Sequence, residues 1–190
     1  MKTARHGGSG SVRIIGGRWR GSRLPVADAD GLRPTSDRAR ETLFNWLQPV
    51  LPGARVLDLF AGSGALGFEA VSRGAREAAL VERDPTLCAS LRDSATRLQA
   101  GDAIEVVCID ALRFLRDAAA APFDLAFVDP PFAEDAWGEV LCALPAAMAA
   151  VAWLYVESTP QCNITPGEGW QLHREGRTRD AAHRLYRRGA

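Results

Sequence analysis

Asp129-Pro130-Pro131-Phe132 sets an acid, two ring-locked residues and an aromatic directly after an apolar run, Phe123-Asp124-Leu125-Ala126-Phe127-Val128. The run reads as a buried strand that the prolines end, because proline has no N–H to give a ladder. A cup of this kind suits a flat, weakly nucleophilic nitrogen, such as an amide or the exocyclic amine of a base. The lone pair of such a nitrogen is delocalised into the π-system. The Asp129 carboxylate and a backbone carbonyl such as that of Pro130 can each accept one of its N–H bonds. That draws the nitrogen toward a pyramidal shape and frees the lone pair, while Phe132 stacks on the ring. The competing reading is an ordinary turn, since Asp and Pro both favour turns.

A second constellation lies upstream. Val56-Leu57-Asp58-Leu59-Phe60-Ala61-Gly62-Ser63-Gly64-Ala65-Leu66-Gly67 reads as a strand, a glycine turn and a helix start. Gly62, Gly64 and Gly67 match a dinucleotide fingerprint, with Glu82 about 20 residues on, where an acid meets ribose hydroxyls. An NAD-type cofactor is therefore a competitor. Asp58 opposes it, because a carboxylate at the strand's mouth repels a pyrophosphate seated on the helix N-terminus. S-adenosylmethionine carries a sulfonium and an ammonium instead, and Asp58 attracts both. Phe60, Gly62 and Gly64 would line its site, Glu82 suits its ribose diol, and Asp110 with Ala111 can present a carboxylate and an amide to the adenine edge. Taken singly, Asp58 and Asp110 can be helix caps and Glu82 a surface acid. Together with Asp129 they close four strands at their carboxyl ends, where open α/β sheets bind ligands.

The elements that must hold these residues alternate. Strands are predicted near 55–59, 78–82, 104–108, 123–128 and 152–157, with helices near 65–73, 85–99, 110–119 and 135–149. That alternation implies a parallel sheet covered on both faces. Residues 169–189 should add one or two antiparallel strands. Ahead of this, Val12–Ile15 and Ser22–Val26 read as short strands around an Arg- and Gly-rich turn, Gly16-Gly17-Arg18-Trp19-Arg20-Gly21. A helix capped by Thr35 or Ser36 should then run to about Leu47.

The chain has 190 residues and 47% hydrophobic content, enough for one domain with a full core. Its zero formal charge hides a segregation. Residues 1–40 carry nine basic against three acidic groups, residues 174–190 six against two, and residues 41–173 eight against eighteen. Basic ends around an acidic centre suit a polyanion partner. Arg13, Arg18, Arg20 and Arg23 would grip its phosphates, with Trp19 stacking; a solvated edge with Trp19 packed inside is the alternative. Cys88, Cys108, Cys142 and Cys162 are scattered and read as buried thiols. With no membrane segment and no signal peptide, these features point to a cytoplasmic protein without a structural metal.

With Asp58 to Gly64, Glu82 and Asp129 to Phe132, the chain resembles class I methyltransferases that modify amines. Arg13-Ile14-Ile15-Gly16-Gly17-Arg18-Trp19-Arg20-Gly21, and Arg33-Pro34-Thr35-Ser36-Asp37-Arg38-Ala39-Arg40-Glu41-Thr42-Leu43-Phe44-Asn45-Trp46-Leu47, sharpen the resemblance. Both look like the RsmD family of bacterial 16S rRNA guanine-N2 methyltransferases. The resemblance runs from Val12 to the basic Leu185-Tyr186-Arg187-Arg188. It implies a Rossmann-like, mostly parallel seven-stranded sheet with a small N-terminal basic hairpin, and Thr35 closing over the cofactor's methionine end. It also implies methyl transfer to a guanine amine in the small subunit or a late assembly intermediate. Residues 1–11 would be a disordered lead-in, 12–50 the RNA contact and cofactor cover, and 51–190 the methyltransferase domain. An adenine-N6 DNA methyltransferase shares the Asp-Pro-Pro-aromatic motif, but it usually carries a recognition domain for which this length has no room. A non-catalytic RNA-binding assembly factor on the same scaffold is the third reading.

Overall fold

The computed structural model describes residues 10–26, 37–117, 121–130, 137–162, 164–179 and 181–189. Thr35, Ser36, Phe132 and most of the lead-in lie outside them. The hairpin strands are β1 (Ser11–Arg13) and β2 (Arg23–Pro25), followed by α1 (Asp37–Leu47). Strand and helix then alternate as β3 (Arg55–Asp58), α2 (Ala65–Ser72), β4 (Glu77–Glu82), α3 (Pro85–Arg97), β5 (Ile104–Cys108), α4 (Ala111–Asp117), β6 (Phe123–Val128), α5 (Trp137–Ala143) and β7 (Met148–Ser158). The chain ends in β8 (Trp170–Arg177) and β9 (Ala182–Arg188).

Among the described residues seven strands form one sheet in the order β5-β4-β3-β6-β7-β9-β8. The first five pair in parallel, and β9 runs antiparallel to both β7 and β8. The chain winds outward from β3 to β5 and then returns to lay β6 beside β3. That return is the switch point, and it opens a crevice at the strands' carboxyl ends.

One expected element needs correction. The predicted helix 135–149 stops at Ala143, a 3₁₀ turn covers Leu144–Ala147, and Met148 already pairs with Phe123. Pro145 has no N–H and its ring crowds the preceding turn, so the alanine-rich run leaves the helix there. The strand expected at 152–157 consequently starts at Met148.

The two sheet faces carry separate cores. Val56, Leu125, Phe127 and Tyr155 pack under the hairpin, α1 and α2, whereas Leu57, Ala126, Val128 and Leu154 pack under α4 and α5. The hairpin is part of the first core, with Ile14 and Leu24 fully buried. Its turn lies flat on the end of α2. Arg18 N donates to Ser72 O at 2.8 Å, and a Cβ on Gly17 (φ +74°) would sit 1.7 Å from that same carbonyl. Only glycine permits this approach and this backbone hand together.

Of the four cysteines only Cys88 is buried; Cys108 and Cys142 are exposed and Cys162 is half-buried, all four as free thiols. The expectation of four buried thiols fails because Cys108 ends the edge strand β5 and Cys142 lies on the outer side of α5. Among the described residues no helix is long and apolar enough to cross a membrane, and no group of metal-capable side chains gathers.

Candidate active site

Alternation along the strands sends Asp58, Phe127 and Asp129 to one face, together with Tyr155 and Glu157 of β7 and His183 of β9. Registers align them. Asp58 pairs with Phe127, Val128 with Val156, and Glu157 with His183, so Asp129 and Glu157 are the next step out on neighbouring strands. Asp58 and Asp129 therefore flank the switch point, and Glu157 extends the acidic row to a third strand.

Asp58 is buried, and its Oδ2 accepts the Gly67 N–H at 3.0 Å in the first turn of α2. Burial pushes its carboxyl up to about 7, the Gly67 hydrogen bond opposes this, and the Glu82 charge adds to it. Desolvation is the dominant cause, so a positive charge placed beside this carboxyl would favour its ionised form. Glu82 is half-buried and held from both sides: Oε2 accepts from Gly62 N at 2.9 Å and Oε1 from Asp84 N at 3.0 Å. The acid predicted to meet a ribose thus also tethers the glycine turn, and Gly64 enters α2 with a left-handed φ of 74°. Asp110 is exposed and caps α4 through Arg113 N at 3.1 Å, while Ala111 is buried and packs in the same core as partly buried Phe60.

Asp129 is half-buried and Pro130 buried. Burial holds the Asp129 carboxyl well above the ordinary carboxylate range, with the Glu157 and Asp58 charges pushing the same way. Beneath it lies a polar network that the sequence reading missed. Tyr155 O–H donates to Glu157 Oε2 at 3.0 Å and stands 2.8 Å from His183 Nδ1, which is 3.4 Å from Glu157 Oε2. Burial, with the nearby Glu157 and Asp129, raises the Tyr155 phenol far above its usual value. The one available signal was a polar Glu157-Ser158 closing an apolar strand.

The arginine turn sits elsewhere. Arg13, Arg18, Arg20 and Arg23 are exposed, but Arg18 lies by the end of α2, about 12 Å along that helix from the glycine turn. Trp19 corrects the stacking expectation. Its side chain is only 9% exposed, it meets Phe68 edge-on at 6.0 Å, and the Arg18 guanidinium covers its ring at 4.2 Å. The indole is a packing residue that carries Arg18, because its large apolar area is worth more in the core than in water.

Asp58 supports one direct expectation. If its carboxylate holds a cationic ligand, affinity should fall about tenfold per pH unit below about 7, as protons compete for it. Between 3.8 and about 7 the folded state keeps a proton that the unfolded chain has lost. The ligand-free fold should therefore lose stability as pH rises through that window. Asp58→Asn should flatten both slopes; calorimetry and thermal melts at pH 5.5 to 8 check them.

The chain matches a protein family described as "Conserved hypothetical protein 95" over residues 12–187. It is 48% identical over 193 aligned residues to Ribosomal RNA small subunit methyltransferase D of Escherichia coli, covering 100% of this chain and 96% of that one. The solved structure of yhhF from the same organism superposes with a TM-score of 0.84 at 46% identity, covering 95% of this chain and 99% of that one. An RNA methyltransferase from Salinibacter ruber, solved in complex with S-adenosyl-L-homocysteine, matches with a TM-score of 0.64 at 13% identity, over 82% and 93% of the two chains. That distance speaks to architecture alone, and the architecture is the class I methyltransferase fold.

Proposed function

Since this chain belongs to the RsmD family, we propose that it transfers one methyl group from S-adenosylmethionine to the exocyclic N2 amine of a guanine in 16S ribosomal RNA. The observation that supports the reading is the acidic row at the switch point, with Asp58 buried at the end of β3 and Asp129 following the end of β6 beside it. The donor set fits the cofactor. Asp58 would hold its ammonium, Glu82 its ribose hydroxyls, and Phe60, Gly62, Gly64, Asp110 and Ala111 the remainder of the site. Thr35, outside the described residues, is assigned to cover its methionine end. What S-adenosylmethionine supplies is an electrophilic methyl on a positively charged sulfur.

The protein's part is to make the amine nucleophilic. Asp129 and the Pro130 carbonyl accept its two N–H bonds, and Phe132, outside the described residues, is assigned to stack on the base. As the new N–C bond forms, the methyl–sulfur bond would break with its electron pair left on a now neutral sulfur, and the nitrogen gains positive charge, which Asp129 stabilises more in the transition state than before it. The surplus proton leaves afterwards, and Asp129, with its raised affinity for protons, can take it before solvent does.

A guanine within folded RNA must be splayed out to reach this cup, so the protein needs a backbone grip. Residues 12–50 are assigned that contact and residues 51–190 the chemistry, acting in the cytoplasm on the small subunit or a late assembly intermediate. The distance of the arginine turn from the crevice fits a substrate of that size. The test is methylation of small subunits from a bacterium lacking the endogenous enzyme, with mass mapping of modified guanines in the 16S RNA. Methyl groups appearing on adenine, or in no ribosomal RNA at all, would refute the assignment.

Two further outcomes are expected. Glu82→Ala should weaken S-adenosylmethionine binding by 1.5–3 kcal/mol, roughly ten- to a hundredfold, as two charge-assisted bonds to the ribose are lost. Unchanged calorimetric affinity would remove Glu82 from the site. Replacing Arg18, Arg20 and Arg23 by Ala should lower the salt slope of subunit binding by about one per residue. An unaltered slope would return the turn to a solvated edge.

A further inference from the structure

Past Glu157, on the α1 side of the sheet, a cavity of about 340 Å³ opens between α1 and the β8–β9 hairpin. Arg38, Thr42 and Trp46 face it from α1, Arg177 and Thr178 from the end of β8, and His183 from β9. The volume is at the lower end for small-molecule pockets and suits one nucleotide.

His183 is the informative residue. Its side chain is 9% exposed, and Nε2 has no hydrogen-bond partner among the described residues. Nδ1 lies 2.8 Å from the Tyr155 hydroxyl and 3.4 Å from Glu157 Oε2, which fixes the ring at the cavity floor. Nε2 is shielded from solvent, so the ring meets the cavity with its carbon edge as a fixed part of the floor. The rim is cationic. Arg177 shares the Glu175 carboxylate with Arg184, at 3.2 and 2.9 Å, so two guanidiniums divide one charge. Among the described residues no carboxylate lines the cavity, and Arg38 is exposed beside it. Trp46 supplies the aromatic wall. A Cβ on Gly176 would stand 3.3 Å from the indole, so the glycine lets that ring lie against β8.

Cations at the mouth and an aromatic wall match a phosphate and a base face, with the fixed His183 ring closing the floor beneath them. Position selects which nucleotide. β9 lies two strands from β6, so the floor is about 10 Å from Asp129, on the opposite side from the glycine turn. We infer that this cavity receives one unpaired nucleotide of the RNA strand flanking the target guanine, a reading that rests on the RNA methyltransferase function above. Holding that neighbour would fix the splayed strand while the guanine enters the cup.

The full chain, with ¹⁵N-labelled tryptophan and histidine, is titrated with guanosine 5′-monophosphate and separately with inorganic phosphate, by NMR. The Trp46 indole and His183 Nε2 signals are expected to move with the nucleotide at millimolar concentration and to stay in place with phosphate. In methylation assays Thr42→Trp, which fills the cavity, should raise the KM for small subunits about tenfold, the scale of one lost base stack, and leave kcat and S-adenosylmethionine affinity unchanged. If that variant fails to fold, Arg38→Ala with Arg177→Ala removes the phosphate contacts and should raise KM severalfold. Nucleotide-induced shifts from an enzyme that methylates no RNA would support the cavity and refute the proposed reaction. Silent Trp46 and His183 signals, an equal response to phosphate, or active variants with wild-type KM would overturn the cavity as a nucleotide site.

Discussion

Asp129→Ala should bind S-adenosylmethionine and small subunits as the wild type does, while methyl transfer falls a hundredfold or more. Asp129 follows the carboxyl end of β6 beside the switch point. On the proposed function, an N–H bond from the target amine to Asp129 would be weak while that amine is flat and neutral, and would strengthen as positive charge builds on nitrogen. Stabilisation confined to the transition state lowers kcat and leaves ground-state binding in place. About 3 kcal/mol of it corresponds to the stated loss. Asp129→Asn keeps an acceptor without the charge and should fall between. A single-turnover rate for Asp129→Ala equal to the wild type would sink the mechanism even if the substrate is right.

The acidic row gives this expectation a pH signature. Asp129 must be ionised to accept both the bond and the proton, and burial together with Glu157 and Asp58 delays its ionisation. Activity should therefore rise with pH well above the ordinary carboxylate range. Glu157→Gln removes one of the neighbouring charges and should move that rise to lower pH, an effect that a merely structural glutamate would not produce.

Glu69→Ala should destabilise the fold by about 3–5 kcal/mol, the cost of leaving a buried charge and its partners uncompensated. Glu69 is fully buried in the middle of α2. Its carboxylate accepts from Ile15 N at 2.7 Å, Gly16 N at 2.8 Å and Arg73 Nε at 2.6 Å. One side chain thus fastens the hairpin to the helix and neutralises the arginine beneath it. Removing it strands two backbone donors and a mostly buried guanidinium. For a chain of this length the loss corresponds to a drop in melting temperature of about 10 °C. Trypsin should then cut first at Arg18 or Arg20 as the turn lifts off. Glu69→Gln keeps an acceptor and should lose less. An unchanged melting curve with a protease-resistant hairpin would show that the latch is not needed.

How much of this was readable follows the reach of each interaction along the chain. The strand–helix period was legible because burial on both faces makes parallel strands near-continuous apolar runs. The positions of Asp58, Glu82, Asp110 and Asp129 were legible because each ends or follows such a run, and a strand's carboxyl end is a definite place in this fold. Trp19 was misread because an indole among arginines looks exposed in one dimension; its neighbour Phe68 is 49 residues away. Glu69 lies inside the predicted helix 65–73, and nothing in the local pattern marks it as buried. Seven of the eight α2 residues are buried, because the hairpin covers the face that a surface helix would leave to water. No period in the helix itself announces a cover supplied from another segment.

By itself, then, the sequence determined the element order, the parallel sheet and the acids at its mouth, all of which depend on local pattern and on the chain's own alternation. Only the tertiary structure decided which groups answer one another. The antiparallel return of β9 brings His183 beside Tyr155 and Glu157, and the latter then bears on Asp129 across the β6–β7 register. It also set the Asp58 carboxyl at about 7, since desolvation depends on what surrounds a group in space and not on what precedes it in the chain. The cavity beside α1 has the same origin: its walls come from two ends of the chain, and they meet only because the sheet closes on β8.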